Sequence, residues 1–227
     1  MNTNLVIIPS RSRPNNIDRI VKSLKRNSHI SDILVVLDGD DPIPYQHLQG
    51  VMYETFTPRL FTVPKINRAA NIYADQYETI TFLGDDQVIH TPRWDVILNE
   101  PLQWKGYGIS YGDDGFQGER MCTSVMMTTN IIKALGHMGL PTLKHLYVDN
   151  FWMTIGQELE SFWYFPYVSW EHLHYLNNKA EKDLTYLEGN SPERYFEDGL
   201  AFEQWLNGDG KSNDVARLKQ MLGIDGE

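Results

Sequence analysis

Three short apolar runs in the first 90 residues each stop at a polar cluster. Leu5-Val6-Ile7-Ile8-Pro9 ends at Ser10 to Arg13, Ile33 to Leu37 ends at Asp38 to Asp41, and Thr79 to Leu83 ends at Gly84-Asp85-Asp86. Runs this short and this apolar read as strands buried on both faces. Ile17, Ile20, Val21 and Leu24 fall at helical spacing between the first two runs, and Ile66, Ala69, Ala70, Tyr73 and Tyr77 do so before the third. Met52 to Phe56 reads as a further strand. Strand–helix–strand order implies parallel pairing with a right-handed crossover. A doubly wound half of this kind binds ligands at the carboxyl ends of its strands. The three polar clusters are therefore expected to converge.

The second half is less regular. Tyr107 to Tyr111 reads as a strand, followed by the glycine-rich, mobile loop Gly112 to Gly118, in which Asp113 and Asp114 read as turn residues. Asn130 to Leu135 and Asp149 to Glu160 read as helices, and Phe162 to Val168 as an aromatic strand leading into Trp170-Glu171-His172-Leu173-His174. No linker interrupts the chain. The expected fold is α/β: a single domain over residues 1–227, with a mostly parallel central sheet flanked by helices. Residues 1–90 would form a nucleotide-binding half, 91–183 an acceptor and catalytic half, and 184–227 a C-terminal helical extension.

At 41% apolar and 22% charged the composition is globular. The longest apolar stretches are too short to span a bilayer. Cys122 is the only cysteine, so no intrachain disulfide can form. The N-terminus lacks a signal-peptide pattern, and a cytoplasmic setting without membrane attachment is expected. The net charge of −10 disfavours non-specific nucleic-acid binding. That charge is uneven: residues 1–68 carry nine Lys/Arg against six Asp/Glu, and residues 181–214 carry three against nine. The basic half coincides with the expected ligand side.

Adjacent carboxylates repel each other, and a cation relieves that cost. Asp85 and Asp86 at a strand end thus point to Mg²⁺ or Mn²⁺, hard ions that also take diphosphate oxygens. Arg11, directly after the first strand, is placed for a donor base or phosphate, and Asp38 for a turn or a nucleoside contact. Asp149 is expected to cap the following helix while facing the cleft. His172 and His174, two apart on a strand, point the same way, and at least one is a candidate metal ligand.

Taken in order, Ile7-Ile8-Pro9-Ser10-Arg11, Val35-Val36-Leu37-Asp38-Gly39, Asn67-Arg68-Ala69-Ala70-Asn71 and Phe82-Leu83-Gly84-Asp85-Asp86 resemble the GT-A glycosyltransferases, especially family-2-like members encoded by bacteriophages. Gly84 stands where that family's DxD motif has its first Asp. The resemblance implies donor contacts from Ser10, Arg11, Asp38, Asn67, Arg68 and Asp85. It implies metal ligation by Asp86 with His172 or His174. Tyr147-Val148-Asp149-Asn150 resembles the family's catalytic segment, which makes Asp149 the implied general base, with Glu171 next. The implied reaction is inverting transfer from a nucleotide sugar, UDP-linked by family habit, to a hydroxyl. The acceptor is open, a modified base in phage DNA being one choice, and a phage enzyme would work in the host cytoplasm.

Two rival readings are a nucleotidyltransferase and a non-enzymatic nucleotide- or carbohydrate-binding module. The first is disfavoured by the absence of glycine from Ser10-Arg11-Ser12-Arg13-Pro14. The second leaves Asp86, Asp149 and His172 without a purpose.

Overall fold

The computed structural model describes residues 2–41 and 43–224; Met1, Pro42 and residues 225–227, which the single-domain expectation includes, lie outside the described residues. The first half runs β1 (Asn2–Pro9), α1 (Pro14–Asn27), β2 (Ser31–Asp38), β3 (Met52–Phe56), α2 (Thr62–Tyr73) and β4 (Tyr77–Phe82). The second half runs β5 (Gln87–Ile89), α3 (Trp94–Lys105), β6 (Ile109–Asp113), β7 (Val125–Thr128), α4 (Thr129–Leu135), α5 (Val148–Glu158) and β8 (Phe162–His172). It closes with α6 (Leu184–Gly189), α7 (Pro192–Asn207) and α8 (Asp209–Leu222). None of the described helices is long and apolar enough to cross a membrane.

All eight strands form one sheet in the order β3-β2-β1-β4-β7-β6-β8-β5. Pairing is parallel for β3–β2, β2–β1, β1–β4 and β6–β8, and antiparallel for β4–β7, β7–β6 and β8–β5. Alternation along β1 serves two cores. Leu5 and Ile7 face α2, α4 and α5, while Val6 and Ile8 face α1 and α3. A strand buried on both faces has no polar positions to spare, which is why β1 and β2 read as unbroken apolar runs.

Several boundaries differ from expectation. The second helix ends at Tyr73, and Tyr77 instead opens β4, buried at the sheet with its hydroxyl on Asp32. Three elements are new: β5, β7 and α3. The last carries an internal Pro101 and is only weakly amphipathic, so its periodicity is faint. β8 runs on to His172 past a register slip opposite Gly112 and Asp113. A Cβ on Gly112 would meet the Val168 carbonyl oxygen at 2.3 Å, so only glycine lets β6 and β8 approach there.

Candidate active site

Strand order reverses between β1 and β4, which sets the carboxyl ends of β1, β2 and β4 side by side. Ser10, just past β1, donates its hydroxyl to Asp85 Oδ2 at 2.6 Å across that junction. Arg13 pairs with Asp85 at 3.1 Å and makes a two-pronged bond to Asp183 at 2.6 and 2.7 Å. Its guanidinium lies 4.0 Å from the centroid of the Tyr186 ring. Above this floor opens a cavity of about 440 Å³. It is lined by Ser10, Arg11, Asp38, Asp85, Asp86, Asp149, His172 and His174, eight of the ten residues singled out in the sequence. Asn67 and Arg68 lie elsewhere. The Asn67 amide bonds the backbone of Met138 and Gly139, and Arg68 covers the Phe56 ring.

Around Asp38 and Arg11 the cavity wall carries one residue that the sequence did not suggest. Lys65, on α2, is 4% exposed and donates to Asp38 Oδ2 at 2.9 Å. Arg11 reaches the same oxygen at 3.3 Å and Asp40 at 2.8 Å, while Asp38 Oδ1 accepts from the Leu60 amide. Burial lowers the Lys65 pKa and Asp38 opposes that shift. Cationic side chains at a strand-end crevice suit a phosphorylated ligand.

Asp86 sits in a buried hydrogen-bond network. Its Oδ2 accepts the Tyr186 hydroxyl at 2.7 Å and lies 3.4 Å from His172 Nε2. His172 Nδ1 is 3.2 Å from Asp114 Oδ2. Two backbone bonds fix the arrangement: His172 N–H to the Asp114 carbonyl at 3.0 Å and Leu173 N–H to the Asp86 carbonyl at 2.8 Å. Burial alone would raise the Asp86 pKa, but bonds from His172 and Tyr186 bring it below the usual carboxylate range. Burial would likewise lower His172, yet Asp114 and Asp86 push it up to about 9. Asp85 goes the other way: burial raises it against the pull of Arg13. The glycine in place of a first Asp also has a reason. A Cβ at Gly84 would sit 2.7 Å from Asp86 Oδ1, so the bare backbone makes room for that carboxylate.

His174 lies past the end of β8, not on it. Its Nδ1 accepts the Leu176 amide, and its ring stacks on Phe116 and meets Tyr186 edge-on. Asp149 is not a helix cap. Tyr147 holds that position at φ 62°, and Asp149 falls in the first turn of α5. Among the described residues its carboxylate accepts one hydrogen bond, from the adjacent Asn150 amide, and desolvation raises its pKa. A half-buried, under-bonded carboxylate with a raised pKa has the properties of a general base. The expected C-terminal extension is part of the site as well, since its Tyr186 donates to Asp86, next to Asp183 at the end of the preceding half, which holds Arg13.

No protein-family profile matches the chain, and no curated protein matches it significantly. Solved structures do. TarS from S. aureus superposes with a TM-score of 0.60 at 14% identity over 97% of this chain, and a shorter TarS in complex with UDP gives 0.58. This chain spans 43% of the longer TarS structure. The mannosyltransferase PcManGT from Pyrobaculum calidifontis, in complex with GDP-Man and Mn²⁺, gives 0.55 at 10% identity, covering 99% of this chain and 76% of its own. Glucosyl-3-phosphoglycerate synthase from Mycobacterium tuberculosis, in complex with Mn²⁺, UDP-Glc and phosphoglyceric acid, gives 0.56 at 13% identity, covering 100% and 81%. The chain has a GT-A-like fold. At these identities the likeness is one of architecture.

The residues present fit a divalent cation of the kind those two complexes contain. Among the described residues no three His, Cys, Asp or Glu side chains form a closed cage. An ion shared with a diphosphate needs only one or two protein ligands. Asp86 Oδ2 and His172 Nε2, 3.4 Å apart, are placed to serve as adjacent ligands of one ion.

Proposed function

We propose that this protein is a metal-dependent, inverting glycosyltransferase that moves a sugar from a nucleotide-sugar donor to a hydroxyl acceptor. One observation carries the reading: a single strand-end cavity holds a cationic side, a carboxylate–imidazole pair and a separate, half-buried and under-bonded carboxylate. Lys65, Arg11 and Asp38 would receive the nucleotide, with Ser10 and Asp85 beneath it. Asp86 and His172 would hold Mn²⁺ or Mg²⁺, with His174 alongside. When bound, the ion neutralises charge on the departing diphosphate. Asp149 takes the proton from the acceptor hydroxyl as it attacks the sugar C1, and one displacement with one base inverts that centre. Residues 1–90 would then serve as the nucleotide-binding half and 91–183 as the acceptor and catalytic half. The segment from 184 onward would help to close the site.

UDP stands with TarS and UDP-Glc with the phosphoglycerate synthase, against GDP-Man with PcManGT, and a uridine donor is the favoured choice. Thermal shift against UDP- and GDP-sugars, with and without Mn²⁺, tests the reading, followed by an assay for nucleoside diphosphate release. Stabilisation by one class only when Mn²⁺ is present, with slow release of the diphosphate, is the expected result. No shift with any nucleotide sugar would remove the proposal.

A further inference from the structure

Asp114 reads in sequence as one more turn residue in a glycine-rich loop. In the structure it is 2% exposed, and its two oxygens do different work. Oδ1 accepts three backbone amides, from Phe116 at 2.9 Å, Gln117 at 2.6 Å and Gly118 at 3.1 Å. That set is enough to form the turn. Oδ2 accepts from two residues that line the cavity, the Thr123 hydroxyl at 2.9 Å and His172 Nδ1 at 3.2 Å. A turn residue has no need of the second pair. Its effect is to hold the imidazole with Nδ1 turned inward and Nε2 turned toward Asp86.

We propose that Asp114 is a positioning residue, which fixes the orientation and tautomer of His172 so that Nε2 presents its lone pair to a divalent cation beside Asp86. This inference rests on the metal part of the functional reading above. Carboxylates that hold the far nitrogen of a ligating histidine raise its basicity and lock its ring, and losing one weakens metal binding by roughly 10- to 100-fold.

Asp114→Asn separates the two roles. The three backbone amides require an acceptor at Oδ1, so the new amide nitrogen is forced into the Oδ2 position. A donor there cannot accept from Nδ1. It accommodates His172 only if Nδ1 is unprotonated and the proton sits on Nε2, the nitrogen the cation needs. The turn survives while the tautomer reverses.

The test measures binding of Mn²⁺ alone by electron paramagnetic resonance, with the melting temperature followed in parallel. Nitrogen-resolved NMR of the Mg²⁺-loaded protein then reads the His172 tautomer. The expected result is Mn²⁺ binding weakened 10- to 100-fold in Asp114→Asn, melting nearly unchanged, and a proton on Nδ1 in the wild type but on Nε2 in the variant. Equal Mn²⁺ affinity in a folded variant overturns the inference and leaves the metal reading standing. A wild type that binds no Mn²⁺ overturns both. If Asp114→Asn does not fold, the wild-type spectrum decides alone: Nδ1–H supports the assignment and Nε2–H refutes it.

Discussion

His172 lies between two carboxylates, and its replacement by glutamine has a calculable dependence on pH. Asp114 and Asp86 outweigh burial and push the imidazole up to about 9, from an ordinary 6.5. At about 1.4 kcal/mol for each tenfold change in proton affinity, the difference is worth about 3 kcal/mol of folding stability. The side chain is only 15% exposed, so solvent screening removes little of it. Because the folded-state pKa is the higher one, that stability is present in full below pH 6.5. It is lost as pH rises toward 9, where the folded protein too gives up the proton. The assay is urea unfolding of metal-free wild type and His172→Gln at pH 6, 7.5 and 9 in EDTA. Subtracting the two proteins cancels the titrating groups remote from His172, and leaves its own titration together with the shifts it imposes on Asp86, Asp114 and His174. The wild-type advantage is expected to shrink by about 3 kcal/mol across that range. An advantage independent of pH would show that the imidazole does not carry its charge between Asp86 and Asp114.

Two other substitutions probe the same centre. Tyr186→Phe keeps the ring under Arg13 and removes one donor to a buried carboxylate, for an expected loss of about 1.5–3 kcal/mol in urea unfolding; a loss too small to measure would show that the hydroxyl does not hold Asp86. Gly84→Ala places a methyl group 2.7 Å from Asp86 Oδ1, and Mn²⁺ affinity by calorimetry is expected to fall along with stability; unchanged affinity would show that Asp86 can move aside freely.

The sequence foretold the half of the fold whose strands are buried on both faces, because such strands write themselves as unbroken apolar runs. β7, also wholly buried, went unseen because it is four residues long and runs straight into α4. α3 was hidden by Pro101. In the site, residues at strand ends were legible because topology alone brings them together: Ser10, Asp38, Asp85 and Asp86 all line one cavity. Lys65 and Tyr186 gave no signal. Lys65 sits inside a helix and Tyr186 lies 100 residues from the carboxylate it touches, so only tertiary packing makes either a neighbour of the site. Asp114 was visible as a turn former, and the histidine on its other oxygen was not. Asn67 and Arg68 show the reverse error: the sequence reading put them at a helix start, whereas they lie in the middle of α2, with Asn67 on the Gly139 backbone and Arg68 over the Phe56 ring.

The central claim is that one cavity binds a nucleotide sugar and activates a hydroxyl with a separate base. Asp149→Asn tests it most directly. Asparagine keeps the acceptor for the Asn150 amide, so folding and nucleotide affinity should be preserved. The measurement is single-turnover donor cleavage beside calorimetric nucleoside diphosphate binding, for wild type, Asp149→Asn and Asp86→Asn. The account predicts that Asp149→Asn binds normally but turns over roughly 10²- to 10⁴-fold more slowly, whereas Asp86→Asn loses metal-dependent binding as well. Turnover by Asp149→Asn near the wild-type rate would contradict it.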